Sequence, residues 1–238
     1  RLPDPDELAE WLAAGVDDAG RQRIRMVTLA PELPGAAAAA EILERSGVVV
    51  GLGHTGADAL AFGEALGSLH MPLVTHLFNG MEPLHHRRPG PVAAALEALA
   101  RGATHVELIA DGVHVADETV RLVFAVYPRR HVVLVSDAMG AAGMPDGDFE
   151  LGSVRVRVVD GRAWTRTEPP SLAGGTSHAA DLVRRCVVHG GVDPVDAVAA
   201  ATSTPAALLG LDDRGSLTTG LRADLVVLAA TLTQFGLP

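Results

Sequence analysis

Polar residues with catalytic or metal-binding chemistry recur just past short β-branched runs along this chain. They are Glu32, then His54, then His76 with Asn79, then Asp111 with His114, and finally Asp137. Taken singly, each has an ordinary structural use: a histidine can cap a helix, Glu32 can complement a helix dipole, and Asp137 can form a turn. The coincidence of all five positions argues for one shared site. Two neutral imidazoles suit a borderline divalent cation such as Zn²⁺ or Fe²⁺, with a coordination position left open for water. Such an ion brings the pKa of water down to roughly 7. A nearby carboxylate can then take a proton from water and pass it to a leaving amine. The set therefore describes metal-assisted hydrolysis of an amide. The segment His85-His86-Arg87-Arg88 is a local cationic patch suited to a phosphate, its ordinary alternative being a solvated loop.

The elements that would position these groups are legible in the same stretch. Apolar runs lie at Ile24–Leu29, Val48–Gly53, Leu73–His76, His105–Ala110 and His131–Ser136, with helical segments predicted at Pro34–Arg45, Ala57–Leu66, Val92–Ala100 and Asp117–Val126. Strands alternating with helices predict a parallel sheet, in a barrel or a doubly wound fold. In a parallel barrel the C-terminal strand ends converge on one mouth, which would gather the chemical residues there. Beyond Met139 the pattern changes. Alternation over Phe149–Asp160 and a turn at Gly161 toward Trp164 predict a β-hairpin. Helices are expected at Thr176–His189 and Pro194–Thr202, with short strands around Gly215–Leu217 and Ala223–Leu228.

Composition removes several function classes. The 238 residues are 48% hydrophobic and 20% charged, which excludes a disordered chain. A net charge of −10 lacks the basic field of a general nucleic-acid binder. No apolar run reaches the ~18 residues needed to span a bilayer, so no membrane association is expected. The single cysteine, Cys186, excludes a disulfide framework and fits a reducing cytoplasm. The chain opens on Arg1 rather than methionine, which suggests a portion of a longer protein.

The ordered motifs Leu29-Ala30-Pro31-Glu32, Gly53-His54-Thr55, Thr75-His76-Leu77-Phe78-Asn79-Gly80-Met81, His85–Gly90, Ala110–His114 and Ser136–Met139 resemble the N-acetylglucosamine-6-phosphate deacetylase family of the amidohydrolase superfamily. The resemblance continues through Leu172-Ala173-Gly174 and the tail from Ser203 to Leu228. It implies an α/β fold, a (β/α)8 TIM-like barrel with strands 4–8 present, and part of a small β-sandwich. On that division residues 1–210 are the partial barrel, with a hairpin insertion near 149–165, and residues 211–238 belong to the sandwich. The resemblance makes His54 and His76 metal ligands for one or two divalent ions and Asp137 the catalytic acid/base. Asn79, the backbone amide of Gly80, Arg87 and His114 would hold the phosphate of a sugar-phosphate substrate. Leu172, Ala173 and Gly174 would line the sugar pocket. Arg87 would reach the partner's site, implying a homodimer. Glu32 matches a family motif but receives no ligand role.

Departures accompany the matches. The family's further metal-binding glutamate in an HLEGP-like motif, the histidine after it and an early HxH pair do not occur here. Gly80 stands where alanine is usual, Arg88 where glutamate is common and Gly175 where serine is common. The rival readings are a deacetylase for the galactosamine epimer and a non-catalytic barrel remnant.

Overall fold

The computed structural model describes residues 2–126 and 130–229. Five parallel strands form one sheet in sequential order: β1 (Met26–Leu29), β2 (Val49–Leu52), β3 (Leu73–Val74), β4 (His105–Leu108) and β5 (Val132–Leu134). Helices α2 (Ala36–Arg45), α3 (Ala59–Ser68), α4 (Gly90–Ala100) and α5 (Asp117–Val126) make the four crossovers. The α/β parallel architecture expected from the strand–helix spacing is present. All five predicted runs became strands, each shorter than its run.

The two faces of the sheet differ in chemistry. Val27, Val50, Leu52, Val74, Val106, Leu108, Val132 and Leu134 pack with the helices in the main core. The opposite face begins with Met26, Val49, Leu73 and Val133, closed off by Leu208 and Leu209 at the end of helix α8 (Ser203–Leu208). The next residues on that face are polar. Thr28 and Thr75 share a hydroxyl hydrogen bond of 2.9 Å across β2. Gly51 permits it, because a Cβ there would lie 2.5 Å from Thr75 Oγ1. Glu107 of β4 completes this layer and is 7% exposed.

Helix α1 (Pro5–Ala14) was not expected from the sequence, although its start is signposted. Asp4 caps it by accepting from the amides of Asp6 and Glu7, Pro5 begins it, and Leu8 and Leu12 are buried against the main core. The expected hairpin is a three-stranded antiparallel sheet: β6 (Gly147–Leu151), β7 (Val154–Val159) and β8 (Arg162–Thr165). The alternating run breaks at Gly152, whose φ of 59° makes the extra turn. Val156, Val158 and Ala163 pack inward against Met139, Ala141 and Ala173. Helices α6 (Ala179–Val188) and α7 (Pro194–Ala201) follow as predicted. The strands expected at Gly215–Leu217 and Ala223–Leu228 are not formed: neither segment pairs into a ladder among the described residues. In these two segments only Leu228 makes an isolated β-bridge among the described residues, and a strand needs a partner to pair with along its length.

At the N-terminal ends of β4 and β5, His105 and His131 stack with ring centroids 4.8 Å apart. Burial, and then the neighbouring His131, push the His105 pKa below its ordinary value of 6.5. The unfolded chain thus binds the proton more readily, and stability should fall as the pH drops through about 6.5. His105→Gln should reduce the Tm lost between pH 7.5 and 5.5 by a few degrees, given about 2–4 °C per kcal/mol for a chain of this length. Parallel pH–Tm profiles of the two proteins would reject this reading.

Candidate functional site

His54 follows β2 and His76 follows β3, both with left-handed backbones: φ is 49° at His54 and 29° at His76. Phe78 (φ 80°) and Asp137 (φ 47°) share this conformation. Non-glycine residues adopt it at a cost of order 1–3 kcal/mol and collect at functional sites. The consequence here is convergence: the Nε2 atoms of His54 and His76 are 2.9 Å apart, and the rings meet edge to face. Gly80 leaves room for the His54 ring, since a Cβ there would sit 2.9 Å from its Nδ1. Glu32 holds the His54 turn from the other side. Its Oε2 accepts from the Thr55 hydroxyl at 2.5 Å and its Oε1 from the Gly56 amide at 2.7 Å. Burial works against that carboxylate, but these bonds outweigh it and keep its pKa below the ordinary value.

The electrostatics suit a neutral imidazole pair. His76 is 6% exposed, and burial and then His54 lower its pKa, against a smaller opposing pull from Asp137. Glu107, beneath it, accepts from the His76 amide at 3.2 Å. Burial pushes its pKa up to about 7, against that hydrogen bond and with the Asp137 charge adding to the rise. Asp137 thus acts on both groups. Its backbone is fixed by the Leu172–Gly174 segment and its successor: the Gly175 amide donates to Asp137 O at 2.6 Å, and Ala138 bridges Gly175. A Cβ at Gly174 would lie 2.9 Å from Asp137 O.

The remaining predicted residues fall into distinct settings. The Asn79 amide is turned onto its own loop, donating to the carbonyls of His76 and Leu77 at 3.2 and 3.3 Å. Arg87 lies on an exposed loop whose His85 and Arg88 bridge each other. His114 sits past β4, paired through Nδ1 to Asp111 Oδ2 at 2.7 Å. Sequence reasoning gave Glu107 no place in the site. The available signal was a carboxylate in the middle of an otherwise apolar strand, facing away from the helices.

The spacing of the two imidazoles suits a divalent ion. Two nitrogens bound at ~2.1 Å with tetrahedral geometry stand about 3.4 Å apart. The observed 2.9 Å is within a few tenths of that, and depressed basicity keeps His76 Nε2 available. The pair fits as two donors. Among the described residues no group of three or more His, Cys, Asp or Glu side chains converges as a complete metal site. No helix among them is long and apolar enough to cross a membrane.

Comparison with known proteins gives the family and the fold. The sequence profile of the Amidohydrolase family matches residues 7–236. The chain is 34% identical over 225 residues to an N-acetylglucosamine-6-phosphate deacetylase of Lysinibacillus sphaericus, covering 94% of this chain and 55% of that protein. It is 40% identical over 210 residues to an N-acetylgalactosamine-6-phosphate deacetylase of Escherichia coli O157:H7, covering 88% and 54% respectively. The crystal structure of N-acetyl-D-glucosamine-6-phosphate deacetylase from Mycobacterium smegmatis superposes with a TM-score of 0.86 at 38% identity, over 99% of this chain and 60% of that one. A mutant of the same enzyme, at the same TM-score and identity, is in complex with N-acetyl-D-glucosamine-6-phosphate. The chain therefore spans about half the length of the curated relatives it matches. With histidines just past β2 and β3, an aspartate past β5, and a profile match over nearly its whole length, the chain belongs to the amidohydrolase family.

Proposed function

We propose that this chain is the C-terminal portion of a metal-dependent amide hydrolase that converts N-acetyl-D-glucosamine 6-phosphate and water into D-glucosamine 6-phosphate and acetate. The observation that carries the reading is the 2.9 Å approach of His54 Nε2 to His76 Nε2 within the electrostatic reach of Asp137. Its barrel strands correspond to strands 4–8 of the family, and the third metal donor comes from upstream of them. His54 and His76 hold the ion, Zn²⁺ or Fe²⁺, one or two per subunit. When bound, it supplies Lewis acidity to the acetamide carbonyl and makes water nucleophilic at neutral pH.

This chain's own residues handle binding and protons. Asp137 takes the proton of the attacking water on its carboxylate and returns it to the amine nitrogen as the C–N bond breaks. Leu172, Ala173 and Gly174 line the sugar pocket beside it. Asn79, the Gly80 amide, His114 and Arg87 bind the phosphate, with Arg87 serving the neighbouring subunit of a cytoplasmic homodimer. The exposure of Arg87 supports that last role. Acetate release from the two acetylated amino-sugar 6-phosphates is the test. The 40% identity to the galactosamine enzyme keeps that epimer as the second reading. The higher kcat/KM selects between them, and no release from either by the full-length, metal-loaded protein overturns both.

Phosphate recognition can be separated from chemistry at Arg87. Arg87→Ala should raise KM for the 6-phosphate substrate roughly tenfold to a hundredfold, the worth of a charge-assisted contact of about 1.5–3 kcal/mol. KM for unphosphorylated N-acetylglucosamine should hardly change. Equal losses on both substrates would return the His85–Arg88 segment to an ordinary solvated loop.

A further inference from the structure

The loop after β4 is fastened more thoroughly than a connection needs. Asp111 Oδ1 accepts from the amides of Val113 and His114, each at 2.8 Å, and its Oδ2 faces His114 Nδ1 at 2.7 Å. The two side chains are 4% and 5% exposed. Burial alone would raise the Asp111 pKa, but the hydrogen bonds from His114 and Val113 hold it below the ordinary carboxylate value. From α6, Arg185 makes a two-pronged ion pair with Asp117, Nε to Oδ1 at 2.8 Å and Nη2 to Oδ2 at 2.9 Å. Its guanidinium lies flat against Gly112, where a Cβ would come within 2.0 Å of the guanidinium carbon. Gly112 at φ 73° is therefore required twice, for its backbone and for its bare face.

An ionised carboxylate only accepts, so His114 must present a proton from Nδ1 to Asp111. The ring's other nitrogen is left for a ligand. We propose that Asp111 is a positioning residue that fixes the His114 proton on Nδ1, so that Nε2 donates to an anionic oxygen of the ligand only as the imidazolium and brings a positive charge with it. This rests on His114 being a contact of the substrate phosphate. Arg185 and Gly112 hold the loop in register for the same purpose.

Asp111→Asn tests this because the loop dictates how the amide must sit. Two backbone N–H groups require the asparagine Oδ1 where Asp111 Oδ1 lies, which turns its NH₂ toward His114 Nδ1. The ring must then accept at Nδ1 and carry its proton on Nε2, a neutral donor without the charge. Long-range ¹H–¹⁵N correlation on histidine-labelled protein reads this directly, with His114 assigned by the signals missing in His114→Gln. The expected result is a protonated Nδ1 in the unsubstituted protein and a proton moved to Nε2 in Asp111→Asn. A bare Nδ1 in the unsubstituted protein overturns the proposal, even if the variant does not fold, and so does an unchanged tautomer in a folded variant. In kinetics, KM for the phosphorylated substrate should rise about tenfold with kcat changed less than about threefold. An equal rise with unphosphorylated substrate also overturns the proposal. If no acetylated sugar phosphate is hydrolysed at all, the functional reading fails separately. The His114 signals, titrated with inorganic phosphate, then decide: a shift in the unsubstituted protein that is weakened in Asp111→Asn supports the positioning role, and no shift overturns it.

Discussion

Replacing Asp137 with asparagine should lower kcat by about two to four orders of magnitude while leaving metal content and KM near their original values. The expectation follows from where the carboxylate is held. Asp137 lies past β5 in a left-handed conformation, φ 47°, with its carbonyl pinned by the Gly175 amide. Asparagine tolerates that backbone region well, so the side chain should keep its place. What changes is proton affinity: an amide cannot accept the proton of water and return it to an amine, a function worth roughly 10² to 10⁴ in rate. The charge of Asp137 also raises the pKa of the buried Glu107 and favours protonation of His76. Its removal therefore leaves His76 still more firmly neutral, and metal binding should not suffer on that account. Acetate release at saturating substrate, with metal measured on the same sample, reads the outcome. Near-normal turnover would remove Asp137 from proton transfer.

That site was legible in the sequence because its parts lie just past strands of one parallel sheet. His54, His76 and Asp137 each follow an apolar run, and strand ends in a parallel sheet share one edge, so linear order alone brings them near one another. The paired Nε2 atoms were not legible. Their approach depends on left-handed backbone at both histidines, which a pattern of apolar residues does not encode. Glu107 was hidden for a different reason: in a four-residue strand, one inward carboxylate looks like an ordinary break in hydrophobicity. The setting of His114 depends on Arg185, 68 residues beyond its partner Asp117, a contact that no local spacing announces. The tail failed in the opposite direction. Its apolar run Leu225–Leu228 satisfies a strand pattern, yet a strand exists only with a neighbour to pair along its length, and Ala223–Leu228 shows no more than a bridge at Leu228 among the described residues.

Truncating either histidine should abolish bound metal and turnover together, and comparing the two separates coordination from packing. The His54 residue is exposed, whereas His76 is buried, with a Nδ1 that has no hydrogen-bond partner among the described residues. His54→Ala should therefore leave the metal-free protein close to its original Tm. His76→Ala removes a ring from the packed layer above Glu107 and should cost about 2 kcal/mol or more before metal is considered. Both lose one of two converging donors, so both should show turnover below about a thousandth of the original. The supporting measurement does not depend on activity. An ion that binds only the folded state stabilises it by RT ln(1 + [L]/Kd), about 2.7 kcal/mol at a hundredfold excess over Kd. Adding Zn²⁺ to the metal-stripped full-length protein should raise the Tm of the unsubstituted form by several degrees and leave both variants unmoved. A His54→Ala protein that still gains Tm with Zn²⁺ and keeps stoichiometric metal would mean that the imidazole pair is a hydrogen-bonded contact rather than half of a coordination shell.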